Sequence, residues 1–238
     1  SPEGLRIDGR RANEIRRIKC EMGLFERADG SAYYEQGNTR VLCAVYGPRE
    51  VSLRSTARHD RAIVNCEYSM ATFSTGERKR KGKGDRRSTE ISLIIKQTFE
   101  AAIFTKLFPN SQIDIYVQVI QADGGTRCAG INAATLALID AGIPMSDFVV
   151  SCAAGYIDET PILDLNHYED SGGSADLPVA IFPKSDKIIM AQMDSKVPLQ
   201  TFEKVLRTAM DGCHMIYEIM TECVKQRSLD LLETRGTF

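Results

Sequence analysis

Residues 113–142 read IDIYVQVIQADGGTRCAGINAATLALIDAG, and this stretch decides the fold. Ile113, Ile115, Val117 and Val119 alternate with other residues at the period of a half-buried strand. The strand runs directly into Asp123-Gly124-Gly125-Thr126-Arg127, after which small residues predict a helix over Ala129–Ala141, closed by Gly142 and Pro144. A strand that turns straight into a helix leaves N–H groups and a partial positive charge at the junction. Gly125 permits close backbone approach, Thr126 adds a hydroxyl donor and Arg127 a planar fork, so the junction suits an oxyanion such as free phosphate. The same residues also suit a plain Gly-Gly turn whose arginine pairs with a carboxylate, and the local sequence leaves both open. The motif is neither a P-loop nor a dinucleotide fingerprint.

Upstream, Ser31–Glu35 and Thr39–Tyr46 flank Gln36-Gly37-Asn38, a hairpin signal. Arg61–Ser69 is a further alternating run with Ala62, Val64 and Cys66 on one face. Between Ser88 and Phe108 the period changes: Ile91, Ile94, Ile95, Phe99, Ala102 and Ile103 form the apolar stripe of a helix, with Ser88 or Thr89 available to cap it and Pro109 just beyond. Downstream, Phe148–Tyr156, Pro161–Leu165, Leu177–Phe182 and Ile188–Met193 read as strands. A last helix spans about Leu199–Leu232, interrupted near Gly212. No Pro/Gly/Ser-rich linker divides the chain. The expectation is one α+β domain over residues 1–238, its core at about 5–222 and its last helix reaching about 232, with mixed β-sheets packed against helices.

Composition narrows the class. A hydrophobic content of 43% over 238 residues is that of a globular protein, which excludes a disordered chain. No apolar run approaches the roughly 18 residues of a membrane span, and Ser1–Arg17 is too polar for a secretory signal, so no membrane partner is expected. The 7 cysteines are odd in number and lack CxxC spacing, and the 3 histidines form no cluster; small buried thiols in a reducing compartment are expected rather than disulfides or zinc.

The net charge of −2 hides a local focus. Arg78, Lys79, Arg80, Lys81, Lys83, Arg86 and Arg87 crowd one segment against a single acid, Asp85. Most such runs are solvated loops. Arg86 and Arg87 differ, because cations at a helix start oppose the dipole unless an anion is near, and their neighbours could track a nucleic-acid backbone. Asp164 opens an acidic stretch in which Asp170 and Asp176 bracket a glycine-containing turn between two strands. Two such carboxylates could hold Mg²⁺ or supply a general acid, although an isolated pair at that spacing is more often a solvated loop. Asp8-Gly9-Arg10-Arg11 taken alone is a turn with basic flanks.

Order and spacing say more than any one piece. RIDGRR (6–11), ADGSAYYEQGNTRVL (28–42), FSTGERKR (73–80), DRRSTEI (85–91), QADGGTR (121–127), INAATLALIDAGIPM (131–145) and LDLN…ED…AD (163–176) together closely resemble the RNase PH family, from about Leu5 to Glu222. FSTGERKR and AGIPM resemble its catalytic-type branch in RNA exosome core rings, the eukaryotic form more than the archaeal, with the bacterial enzyme more distant. The resemblance implies the RNase PH fold and removal of nucleotides from RNA 3′ ends by inorganic phosphate, releasing nucleoside diphosphates. It implies phosphate binding by Gly125, Thr126 and Arg127, and catalysis by Arg87, Asp170 and Asp176. The two aspartates would place Mg²⁺, and Asp164 would support them. Arg78, Lys79, Arg80, Arg86 and Arg87 would contact RNA.

As partners the resemblance implies single-stranded RNA 3′ ends, related RNase PH-like ring subunits and cap subunits with RNA-binding domains. Nucleus, nucleolus and cytoplasm are the implied locations. Three alternatives stand beside it: an inactive ring subunit guiding RNA to a separate hydrolytic nuclease, a homohexameric enzyme that trims tRNA 3′ ends, and a plain RNA-binding module. Retention of Arg87, Arg127, Asp170 and Asp176 together favours the catalytic reading.

Overall fold

The computed structural model describes residues 5–51, 57–78, 85–173, 175–193 and 195–235. The first half forms a five-stranded sheet from β1 (Ile18–Met22), β2 (Gly30–Gln36), β3 (Thr39–Glu50), β4 (Ile63–Met70) and β5 (Ser111–Gln121), in the order β1-β2-β3-β5-β4. Neighbours are antiparallel except β4 and β5, which run parallel and are joined through helix α1 (Arg86–Ala102). A parallel pair needs such a crossover, because a tight turn cannot bring the chain back in the same direction. The second half forms an antiparallel sheet, β7-β6-β8-β9, from β6 (Val150–Ile157), β7 (Thr160–Leu163), β8 (Ala175–Phe182) and β9 (Lys187–Ala191).

Helix α2 (Thr126–Asp140) lies between the two sheets, touching β2, β3 and β5 on one side and β6 and β8 on the other. Every residue from Cys128 to Leu138 is buried. A helix covered on all sides must be apolar on all sides, which is why this segment lacks an amphipathic stripe and is built from alanine, leucine and isoleucine. Its two buried polar side chains are satisfied: Asn132 exchanges hydrogen bonds with the Ser151 backbone at 2.8 and 2.9 Å, and the Thr135 hydroxyl donates to the Val149 carbonyl at 2.7 Å. The long helix α4 (Leu199–Arg235) covers the outer face of the second sheet and reaches β1.

The structure matches the expected α+β class and corrects several boundaries. Helix α1 begins at Arg86 and stops at Ala102, short of Phe108, because Ile103 turns extended to bridge Met145 and a short 3-10 turn follows at Thr105–Leu107. Its cap is Asp85 rather than Ser88 or Thr89; the Ser88 hydroxyl donates to the Asp85 carboxylate at 2.9 Å. Asp170 and Asp176 do bracket Gly172-Gly173, but Asp170 sits on a helical turn, α3 (His167–Ser171), rather than at the end of a strand. All 7 cysteines are free thiols, buried or half-buried. Among the described residues no helix is long and apolar enough to cross a membrane.

Helix α4 runs unbroken through Gly212. The glycine is there for contact, since a Cβ would lie 2.4 Å from Leu163 Cδ1 and 2.8 Å from Cys152 Sγ. Alanine in an open helix position stabilises by about 1 kcal/mol over glycine, but forcing a methyl into a filled core costs about 1–3 kcal/mol. Gly212→Ala is therefore expected to lower the thermal unfolding midpoint, whereas a relaxed site would show a rise.

Candidate active site

The junction of β5 and α2 is closed by two left-handed residues, Gly124 (φ +76°) and Gly125 (φ +64°). With the turn completed in two residues, the helix starts at once at Thr126, three positions before the sequence expectation, and Ala129 N–H already donates to Gly125 O at 3.0 Å. A side chain at Gly124 would meet Leu165 O at 2.6 Å and His167 N at 2.9 Å, so glycine lets this turn touch the segment that carries α3. The α2 N-terminus, with half-buried Thr126 and Arg127, opens into a cleft of about 1850 Å³.

Six elements, α1, α2, α3, β4, β6 and β8, contribute to the walls of that cleft. Arg87 enters from the first turn of α1, which contains no acid to neutralise it. Asp170 enters from α3 and Asp176 from β8, where its backbone pairs with Gly155 of β6. Tyr68 and Met70 come from β4, and Gly125, Thr126 and Arg127 from the β5–α2 junction. The fold thus brings together Arg87, Gly125, Thr126, Arg127, Asp170 and Asp176 from positions up to 89 residues apart (176 − 87). Arg78 and Arg86 are exposed and do not line the cleft. Lys79 and Arg80 lie outside the described residues.

Arg127 is held by an amide rather than a carboxylate. Its Nη1 donates to Gln192 Oε1 at 2.7 Å, and Gln192 Nε2 donates to Glu90 of α1 at 3.1 Å. The guanidinium sits beside the helix N-terminus, and α1 and α2 are linked through one glutamine.

Asp164 lies beneath the cleft, not in it, at a left-handed φ of +54°. Its carboxylate accepts from Arg16 Nε at 3.0 Å, Arg16 Nη2 at 2.7 Å and the Arg16 backbone N–H at 2.8 Å, with both side chains under 10% exposed. The same guanidinium donates to Asp123 O at 2.5 Å and Gly124 O at 3.4 Å, and the Thr39 hydroxyl donates to Gly124 O at 2.8 Å. One arginine therefore ties the glycine turn to the start of the α3 segment. Arg6 adds a second tie, donating to Glu169 Oε1 and Oε2 at 2.8 and 2.5 Å and to the carbonyls of Leu163 and Asp164. Glu169 in turn completes a capping box with Asn166.

Burial by itself would raise the pKa of Asp164, but the charge and hydrogen bonds of Arg16, helped by Arg10, outweigh it and hold the carboxyl below its usual range. Burial likewise opposes, and the Arg6 hydrogen bond overcomes, for Glu169. Arg6, Arg16, Tyr68 and Gln192 were not singled out from the sequence. Only the N-x-x-E spacing of Asn166 and Glu169 offered a local signal; the other partners are too far apart in the chain to form a pattern.

Asp170 and Asp176 are hard oxygen donors facing the same space as two arginines, a donor set that suits Mg²⁺ bound through one or two carboxylates and substrate oxygens. Among the described residues no group of three or more histidine, cysteine, aspartate or glutamate side chains could hold a metal by itself.

Two family models match the chain: "3' exoribonuclease family, domain 1" over residues 14–144 and "3' exoribonuclease family, domain 2" over residues 147–212. The chain is similar to the exosome complex component RRP41 homolog of Arabidopsis thaliana, 59% identical over 97% of this chain and 96% of that protein. It is similar to exosome complex component RRP41 of Mus musculus, 55% identical over 95% and 93%, and to Rrp41 of the archaeon Methanopyrus kandleri, 48% identical over 95% of each. Among solved structures, rice Rrp46 superimposes with a TM-score of 0.81 at 26% identity, over 92% of this chain and 100% of that one.

The brace makes a stability prediction. Arg16→Met leaves Asp164 buried without its main countercharge and is expected to cost about 3–5 kcal/mol, part of it restored by adding Asp164→Asn, a neutral side chain that tolerates the left-handed backbone. Because Asp164 and Glu169 titrate below their ordinary values of 3.8 and 4.5, their contribution is complete above about pH 4.5 and is lost as pH falls through the folded pKa values. Urea unfolding from about pH 3 to pH 7 should show wild-type stability falling on the acid side, and a shallower acid limb in the double variant.

Proposed function

The chain belongs to the 3′ exoribonuclease family of RNase PH type, and from that membership we propose that it is a catalytic-type ring subunit of an RNA exosome that shortens RNA from the 3′ end with inorganic phosphate. The observation that carries the proposal is the convergence of Arg87, Thr126, Arg127, Asp170 and Asp176 on one cleft. Two cations and a helix N-terminus are the chemistry of a bound phosphate, and paired carboxylates beside them serve a metal or a proton.

In this reading inorganic phosphate rests against Gly125, the Thr126 hydroxyl and Arg127. One of its oxygens attacks the phosphorus of the terminal phosphodiester; the new P–O bond forms as the bond to the 3′ oxygen of the preceding nucleotide breaks, and a nucleoside diphosphate leaves. Arg87 neutralises charge spreading over the transferred group. Asp170 or Asp176 moves a proton to the departing 3′ oxygen. Mg²⁺ held by Asp170 and Asp176 would supply charge stabilisation at the phosphoryl oxygens. Since the phosphodiester link broken and the phosphoanhydride link formed have similar group-transfer free energies, RNA extension from diphosphates is the reverse reaction. Arg86, at the start of α1, and Arg78, both exposed, are placed in this proposal along the incoming RNA backbone.

The relatives' names support an assembly with other RNase PH-like ring chains, and the proposal extends it to cap subunits with RNA-binding domains and to sites in nucleus, nucleolus and cytoplasm. The test is degradation of a labelled RNA, with Mg²⁺, by a ring reconstituted around this chain without any hydrolytic nuclease. Nucleoside diphosphates should form only when phosphate is added. Asp176→Asn should lower the rate by about 10²-fold or more, and Arg127→Ala should raise the phosphate KM by about tenfold or more. A ring that binds RNA yet releases no diphosphate would instead make this chain a structural guide for RNA.

A further inference from the structure

Tyr68 stands out among the residues of the cleft. It is 3% exposed, and among the described residues its buried hydroxyl oxygen makes no hydrogen bond of good geometry, with Thr126 its polar neighbour. A buried hydroxyl without a partner is costly, and phenylalanine would fill the same space without that cost. Tyr34, equally buried, shows what the fold does with a structural tyrosine: its hydroxyl donates to Gln36 Oε1 at 3.1 Å and accepts from Asn132 Nδ2 at 3.2 Å.

Tyr68 touches both helices of the cleft. The Tyr68 backbone N–H donates to Ser92 Oγ of α1 at 2.9 Å, and its Cε2 lies 3.7 Å from the place a Cβ at Gly130 of α2 would take. It therefore sits between the second turns of the helices that present Arg87 and Arg127, and it lines the cleft with both of them and Thr126.

We propose that the Tyr68 hydroxyl is a binding group for a tetrahedral oxyanion, donating a hydrogen bond to inorganic phosphate beside Thr126 and between Arg87 and Arg127. This rests on the phosphate-dependent reading above and deepens it by naming a neutral donor that selects the attacking group. The site's charge supports the role. Burial pushes the Tyr68 pKa up, against the opposing pull of Thr126, Arg87 and Arg127, so the group remains a protonated donor across neutral pH. Hydrogen bonding from Thr126 is the first of the influences opposing that rise, which sets the two hydroxyls side by side in the cleft wall.

The experiment compares wild type, Tyr68→Phe and Tyr34→Phe in the reconstituted ring, using inorganic phosphate as the probe. Three readouts are taken: the thermal midpoint without phosphate, phosphate affinity by calorimetry, and the phosphate and RNA KM values. For Tyr68→Phe the midpoint without phosphate should stay the same or rise, phosphate affinity should weaken by about tenfold, and the RNA KM should hold. Tyr34→Phe should show the opposite pattern, a lower midpoint with phosphate affinity intact. A lower midpoint in Tyr68→Phe with unchanged phosphate affinity would overturn the inference and make the hydroxyl structural. If wild type binds phosphate and releases diphosphates but Tyr68→Phe behaves identically, this inference alone fails. A wild-type ring that takes up no phosphate removes both it and the proposed function.

Discussion

The buried pair of Arg16 and Asp164 is the constraint on which the cleft depends. Two backbone carbonyls of the glycine turn, at Asp123 and Gly124, face the guanidinium, while Asp164 fixes the guanidinium itself. Since Asp164 is six residues before Asp170, the pair sets the spacing between the helix N-terminus that faces an anion and the segment that carries a carboxylate. Buried ion pairs are poor sources of net stability, because desolvation offsets attraction, but removing one partner is severe. Their value here is geometric. An arginine with several hydrogen bonds in one plane holds two loops in a single arrangement that apolar packing would leave loose.

A second constraint acts from the other side. Helix α2 is packed between two sheets with no exposed face from Cys128 to Leu138, so its N-terminus cannot slide without disturbing both layers. The polar ties of Asn132 to β6 and of Thr135 to Val149 just before it set its rotation and depth. At the cleft, Gln192 then spans from Arg127 to Glu90 and links α2 to α1. The cations of the site are thus mounted on rigid helix ends, and the carboxylates on a strand and a capped helical turn, which is the arrangement a pre-organised anion site requires.

Much of the local structure was legible in the chain. The period-2 run from Ile113, the glycine pair and the small-residue helix after it are set by steric preferences of neighbouring residues, and they survive intact. What local reading misplaced has physical reasons. Gly212 looks like a helix break because glycine weakens helices, yet here it makes room for Leu163 and Cys152. Asp170 looked like part of an acidic turn, although Asn166 and Glu169 stand at capping-box spacing and form the helical turn that carries it. Helix α1 ended early because Ile103 found a bridge to Met145, a partner 42 residues away (145 − 103).

The sequence by itself determined most of the order of strands and helices, missing β1 and α3, together with the junction that can receive an anion and the identity of the charged groups around it, because these follow from side-chain period, glycine placement and residue chemistry. Tertiary structure decided which of those charges meet. It separated Asp170 and Asp176, which reach the cleft, from Asp164, which is consumed beneath it by Arg16. It left Arg78 and Arg86 outside while Arg87 turned in, and it brought Tyr68 under the helix ends. The physical reason is that such pairings join residues tens to more than a hundred positions apart, and they are selected by packing and desolvation in the closed fold rather than by any neighbour in the chain.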